Sequence, residues 1–195
     1  MAVELPELLV PDGPAWRTWL SENHQQSQGV RLVLGKKGGS VTELVYDPAL
    51  RHALCFGWID GQVTTRDEGS YAQRFTPRTA RSRWSARNVG LVGELTAAGL
   101  MEAAGLEAVA AARSDGRWDS AYAGSRTAVV PADLAAAIEA SPAAAAFFPS
   151  LSSQNRYAIL YRVEEAKRPE TRARRIAAFV QMLEQGETVH PQKRP

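Results

Sequence analysis

Two stretches concentrate the side chains that could do chemistry. "ALCFGWIDG" (53–61) sets the lone cysteine, Cys55, beside Trp58 and Asp60. "RFTPRTARSRWSARN" (74–88) holds Arg74, Arg78, Arg81, Arg83 and Arg87, interleaved with Phe75 and Trp84 and uninterrupted by any acid. Guanidinium forks bind phosphates and carboxylates through paired hydrogen bonds, and aromatic planes cover apolar or stacked ligands. The second stretch also runs into a helix start, where free N–H groups favour anions. The competing explanation is a solvated basic loop paired with surface glutamates. Asp60 is either aimed at a cleft or is a turn aspartate bonded to its own backbone. Cys55 falls at a helix end, where nothing lowers a thiol pKa, and reads as a packing residue rather than a nucleophile.

Other chemistries lack their signatures. His24, His52 and His190 share no short spacing, and neither CxxC nor HExxH occurs, so no metal is expected. "LGKKGGS" is glycine-rich without P-loop spacing, no GxGxxG follows a strand, and no GxSxG is present. No catalytic residue and no cofactor is assigned. A second basic cluster, Lys167, Arg168, Arg172, Arg174 and Arg175, reads as the solvated face of the last helix. Nineteen arginines stand against four lysines, either as a composition bias or for anion binding.

The elements that hold these residues are punctuated by proline and glycine. Asp12 or Gly13 with Pro14 opens a helix carrying Trp16, Trp19 and Leu20. "GVRLVLGKK" alternates as a strand and "VTELVY" forms a short second one. "DPALRHALCFG" is a helix capped by Asp47, and "WIDGQVTTRDEGSYAQRFTP" is a hairpin turning at "DEGS". "SRWSARNVGLVGELTAAG" is a helix with Trp84, Leu91, Leu95 and Ala98 on one face, and another helix ends at Gly116. Beyond a linker at 120–131 the strand pattern disappears. Three or four helices follow, the last opened by Pro169.

The expectation is therefore α+β: a small antiparallel sheet covered by helices, followed by a C-terminal helical module. The divisions are 1–124, 125–186 and a disordered tail at 187–195. A net charge of +2 selects no partner, and no run of 18 apolar residues spans a membrane. A single cysteine and an N-terminus without a basic leader point to the cytoplasm.

The stretches "WRTWLSENHQQSQGVRLVLGKK", "LVYDPALRHALCFGWIDG", "RFTPRTARSRWSARN", "AAGLMEAAG", "DGRWDSAY" and "AKRPETRARRI" together resemble the bacterial YdeI/OmpD-associated, or bacteriocin-protection, family. The resemblance runs through nearly the whole chain. It departs at "VRLVLGKK", where an aromatic is expected near position 31. It implies a link to envelope stress or peptide-toxin tolerance and supplies no reaction, cofactor or catalytic residue.

Three functions remain open. The first is a non-enzymatic binder of an anionic small molecule or protein segment, in a cleft lined by Trp58, Asp60, Arg74, Arg78, Trp84 and Asn88. The second is a nucleic-acid binder using both arginine clusters. The third is an enzyme using Asp60 or Cys55. The linker composition yields a first expectation: limited proteolysis nicks 120–131 before any other region. First cleavage within 45–100 would displace the boundary.

Overall fold

The structure, a computed structural model, describes residues 4–125 and 127–192. The chain divides into two units, 1–121 and 122–195.

In the first unit, Glu7–Leu8 (β1) leads to helix Gly13–Asn23 (α1), strand Val30–Gly35 (β2) and helix Tyr46–Cys55 (α2). The hairpin Trp58–Thr65 (β3) and Ser70–Pro77 (β4) follows, then helices Ala86–Ala97 (α3) and Ala103–Ser114 (α4). The sheet order is β1-β2-β4-β3. Its pairings are antiparallel except for β1, a two-residue parallel strand that the sequence pattern does not announce.

Local chemistry accounts for most boundaries. The Asp12 side chain accepts from Ala15 N, with Pro14 in the first turn of α1. Gly57 takes φ +73 where α2 hands over to β3, a conformation that L side chains rarely adopt. Ser85 caps α3 through Asn88 N.

Three local expectations are corrected. The segment 41–45 is a loop, not a strand, because its polar groups bond piecemeal. Thr42 Oγ1 donates to Val10 O, and Leu44 O accepts from Gly35 N. Helix α2 begins at Tyr46 with no side-chain cap, so Asp47 lies in the first turn and binds Arg51 and Arg87 instead. Trp84 precedes α3 rather than riding on its apolar face.

The core of this unit centres on Trp16. Its ring stacks on Trp19 (5.2 Å, 15°), meets Trp58 edge-on (6.2 Å, 79°) and tilts against Phe75 (5.8 Å). Its Nε1 donates to Ala49 O on α2. One indole thus ties α1, α2, β3 and β4 together. Aromatic pairs in these geometries contribute about 0.5–1.5 kcal/mol each beyond the area they bury.

The second unit carries four α-helices among its described residues: Ala132–Glu139 (α5), Pro142–Phe147 (α6), Ser153–Glu165 (α7) and Pro169–Glu184 (α8). Leu134, Ile138, Ile159, Leu160, Val163, Ile176 and Leu183 form its core. Of the segment expected as a tail, 187–192 is described and 193–195 lies outside the described residues. His190 N donates to Asn155 Oδ1, and Asn155 Nδ2 donates to Gln192 Oε1. No helix among the described residues is long and apolar enough to cross a membrane.

Two stability predictions follow from the first unit. A Cβ on Gly105 would lie 2.1 Å from Cys55 O, with backbone on both sides of the contact. Gly105→Ala therefore lowers stability by about 1–3 kcal/mol or more, read by denaturant unfolding. His52 is held below the ordinary histidine range, first by burial and then by the charge of Arg17. The unfolded chain consequently binds the extra proton more readily. The stability contribution is complete above the unfolded value of about 6.5 and is lost as pH falls below it. His52→Gln should flatten the acid limb of a Tm–pH curve.

Candidate functional site

The hairpin places the two stretches side by side, with Trp58 opposite Pro77, Ile59 opposite Thr76 and Asp60 opposite Phe75. Strand alternation then separates them by face. Trp58, Asp60 and Phe75 point toward the helices, and Arg74 points to the opposite side of the sheet.

Trp58 and Trp84 are each 1% exposed. The Trp58 ring lies edge-on to Trp16 and Trp19, and its Nε1 donates to His24 O at 3.3 Å. Trp84 packs against Trp118 with centroids 4.9 Å apart, and the Arg78 guanidinium carbon lies 3.5 Å over its ring. Arg78 Nη1 donates to Arg83 O, while Arg117 Nη1 donates to Thr79 O and Ser82 O. Arg78 and Arg117 therefore brace the 78–84 loop. Asn88 is buried in α3 and its N–H serves the Ser85 cap. Trp58 and Trp84 line no open cleft; both are sealed in the core.

Asp60 accepts a hydrogen bond from the Tyr46 hydroxyl at 2.9 Å. Burial, followed by the charge and hydrogen bond of Asp60, pushes the Tyr46 phenol well above its ordinary range. The phenol stays protonated and acts as a fixed donor, which suits positioning rather than proton transfer near neutrality. The Cys55 thiol is pushed up by burial, although the hydrogen bond and charge of Arg17 oppose this. Its carbonyl accepts from Glu102 N at 3.1 Å. Both features fit packing, not nucleophilic attack. No group of three His, Cys, Asp or Glu among the described residues could hold a metal ion.

The basic face that remains open lies on the outer side of the sheet. Arg31 on β2 is the direct register partner of Arg74 on β4, and Glu7 on β1 is the partner of Arg31. Arg66 donates from Nε to Glu7 Oε1 at 2.9 Å and from Nη1 to Asp67 and Ser70. Its side chain thus spans the face from β4 to β1, on the side where Val33 and Ala72 lie buried. Glu7, the acid in the row, is taken by Arg66. Neither Arg31 nor Arg74 makes a hydrogen bond or ion pair among the described residues, and Arg31 Nε is shielded from solvent with no partner. Arg74 is exposed, and beside it Gly61 offers no side chain. A Cβ there would sit 3.4 Å from Arg74 Cδ.

Arg31 escapes a motif search because it stands alone in a strand. The signal was the alternation itself: Arg31 is out of phase with Val30, Leu32 and Leu34, as Arg74 is with Phe75.

In the second unit, Arg172 forms a two-pronged pair with Asp133 and also donates to Val163 O. Arg175 binds Glu165 and Arg162 O. Part of the second basic cluster is thus spent within the fold, and Lys167, Arg168 and Arg174 are exposed.

No curated protein matches the chain, and no solved structure does. Two families do. A family described as a domain of unknown function (DUF8412) matches residues 8–108. The family described as "Bacteriocin-protection, YdeI or OmpD-Associated" matches residues 127–186. Of the stretches that carry the resemblance, only "AKRPETRARRI" falls inside this second match, so the bacteriocin-protection region is narrower than the resemblance implied. The chain belongs to the DUF8412 family through its α+β portion and carries, at residues 127–186, a bacteriocin-protection, YdeI or OmpD-associated region.

Proposed function

We propose that the protein is a cytoplasmic, non-enzymatic binder of an anionic ligand or partner that contributes to bacteriocin tolerance. The tolerance role comes from the name of the family matched at 127–186. The binding role rests on one observation, the uncompensated cross-strand pair of half-buried Arg31 and exposed Arg74. Like charges directly opposite one another on a sheet are destabilising. A phosphate or carboxylate between them turns that repulsion into two charge-assisted sets of hydrogen bonds.

No aromatic ring shares this face with the pair: the neighbouring outward positions are Val33, Ala72 and Thr76. Bases would find no stacking platform, which favours recognition of the charged group alone over nucleic-acid readout.

Titration calorimetry with inorganic pyrophosphate tests the reading. The native chain should bind, more weakly as salt is raised. Arg74→Gln and Arg31→Gln should each lose about 1.5–3 kcal/mol of affinity, roughly ten- to a hundredfold. Because each change also removes a like-charge contact, Tm should stay level or rise. Absence of binding, or binding indifferent to both substitutions, would discard the site.

A further inference from the structure

The sheet has two edges, and they differ in kind. The β1 edge is two residues long and follows Pro6, so it offers almost nothing to pair with. The β3 edge runs for eight residues and hydrogen-bonds to β4 on one side only. Residues 61–68 are all exposed, and Val63 is 61% exposed. Proteins blunt such edges with charge, proline, a cover or a bulge. The stretch Gly61-Gln62-Val63-Thr64-Thr65 contains no charge and no proline, and three of its five residues are β-branched. The register shift between Asp60 and Val63 kinks the start of the stretch. Beyond it, Val63, Thr64 and Thr65 lie in regular register with Gln73, Ala72 and Tyr71.

We infer that the free edge of β3 takes up an extended acidic segment of a partner protein as a fifth strand. Main-chain hydrogen bonds would supply a sequence-independent share of the affinity, and side chains on alternate residues the selectivity. The sign of the partner's charge rests on the anion-binding reading of the same face. Arg74 lies next to Gly61, the one edge position without a side chain to screen it. Arg31 stands behind Arg74 in the same row. The carboxylates nearest this edge are already engaged: Asp60 by Tyr46 and Asp67 by Arg66 and Ser70. Glu68, exposed at the hairpin turn, lies outside 61–65. A second copy is the poorer occupant, because pairing two β3 edges brings two sets of Arg74 and Arg66 onto one short ladder.

The test uses the full chain and four capped eight-residue peptides. One alternates glutamate with threonine, and one replaces each glutamate by lysine. The other two are the glutamate peptide N-methylated at the odd residues and the same peptide N-methylated at the even residues. Amide hydrogen exchange, read residue by residue by NMR, and affinity are both recorded. The glutamate peptide should bind and slow exchange at amides within 61–65. The lysine peptide should bind about tenfold or more weakly, as should the glutamate peptide toward Arg74→Gln. One N-methylated form should lose binding and the other keep it, because only alternate amides face the ladder. Equal binding of both N-methylated forms would overturn strand addition. Equal binding of glutamate and lysine peptides would overturn the acidic partner. Concentration-dependent protection of 61–65 in the chain alone would assign the edge to a second copy and overturn the partner. Pyrophosphate binding with 61–65 unmoved by any peptide would sink this inference while leaving the anion site standing. Charge-independent peptide protection without pyrophosphate binding would do the reverse to the anion site and also remove the acidic partner.

Discussion

The first unit depends on a single constraint, the two-residue period of its strands under a tryptophan-centred core. Trp16 must be met by Trp58 and Phe75, and Leu32 and Leu34 must fill the same layer. Once those positions face inward, Arg31 and Arg74 have nowhere to go but outward. They emerge opposite one another because Val30 pairs with Phe75. The basic pair is thus a consequence of how the core is registered. A one-residue slip of β4 would send Phe75 into water and Arg74 into the tryptophans, so the core that stabilises the fold also locks the charged row.

This explains which features could be read from the sequence. Helix starts at Pro14 and Pro169 were legible because a proline in the first turn acts locally. So was the β3–β4 hairpin, whose turn and alternation lie within twenty residues. Pairing of β2 with β4 was not, because it joins segments about forty residues apart and nothing local specifies it. Strand β1 was hidden for the same reason: two residues carry no period. The candidate site inherits this division. Its neighbours across the hairpin follow from the local turn, whereas the face on which each emerges depends on the register of the whole sheet. Trp84 precedes α3: a tryptophan two residues before a capped helix fits the helical spacing in sequence, while the Ser85 cap stops the helix short of it.

The arginines show why counting charge does not locate a site. Arg78 is consumed by Trp84 and a loop carbonyl, Arg117 by two more carbonyls and Asp115, and Arg172 by Asp133. Each acts as a brace whose five donors reach several groups at once, a task that lysine performs poorly. Arginine enrichment in this chain is therefore partly architectural. What distinguishes Arg31 and Arg74 from the bracing arginines is that they stand directly opposite one another on the sheet, and neither guanidinium meets a carboxylate, carbonyl or ring among the described residues.

That same comparison orders the chemical groups by what they can still do. Cys55 and Asp60 are the reactive side chains of the first stretch, and Tyr46 is the hydrogen-bond partner of Asp60. Yet the thiol is held protonated by burial, and the phenol and carboxylate satisfy each other. An acid–base mechanism needs groups whose proton can leave toward a substrate, and a closed donor–acceptor pair has none to spare. The open chemistry of the sheet is electrostatic and main-chain: two guanidiniums in a row and a strand edge beside them. Both are the elements that the proposed binding role requires. A flat surface built this way suits an extended acidic segment better than a small metabolite, because a small ligand needs concave walls to bury its surface, whereas a strand brings its own ladder.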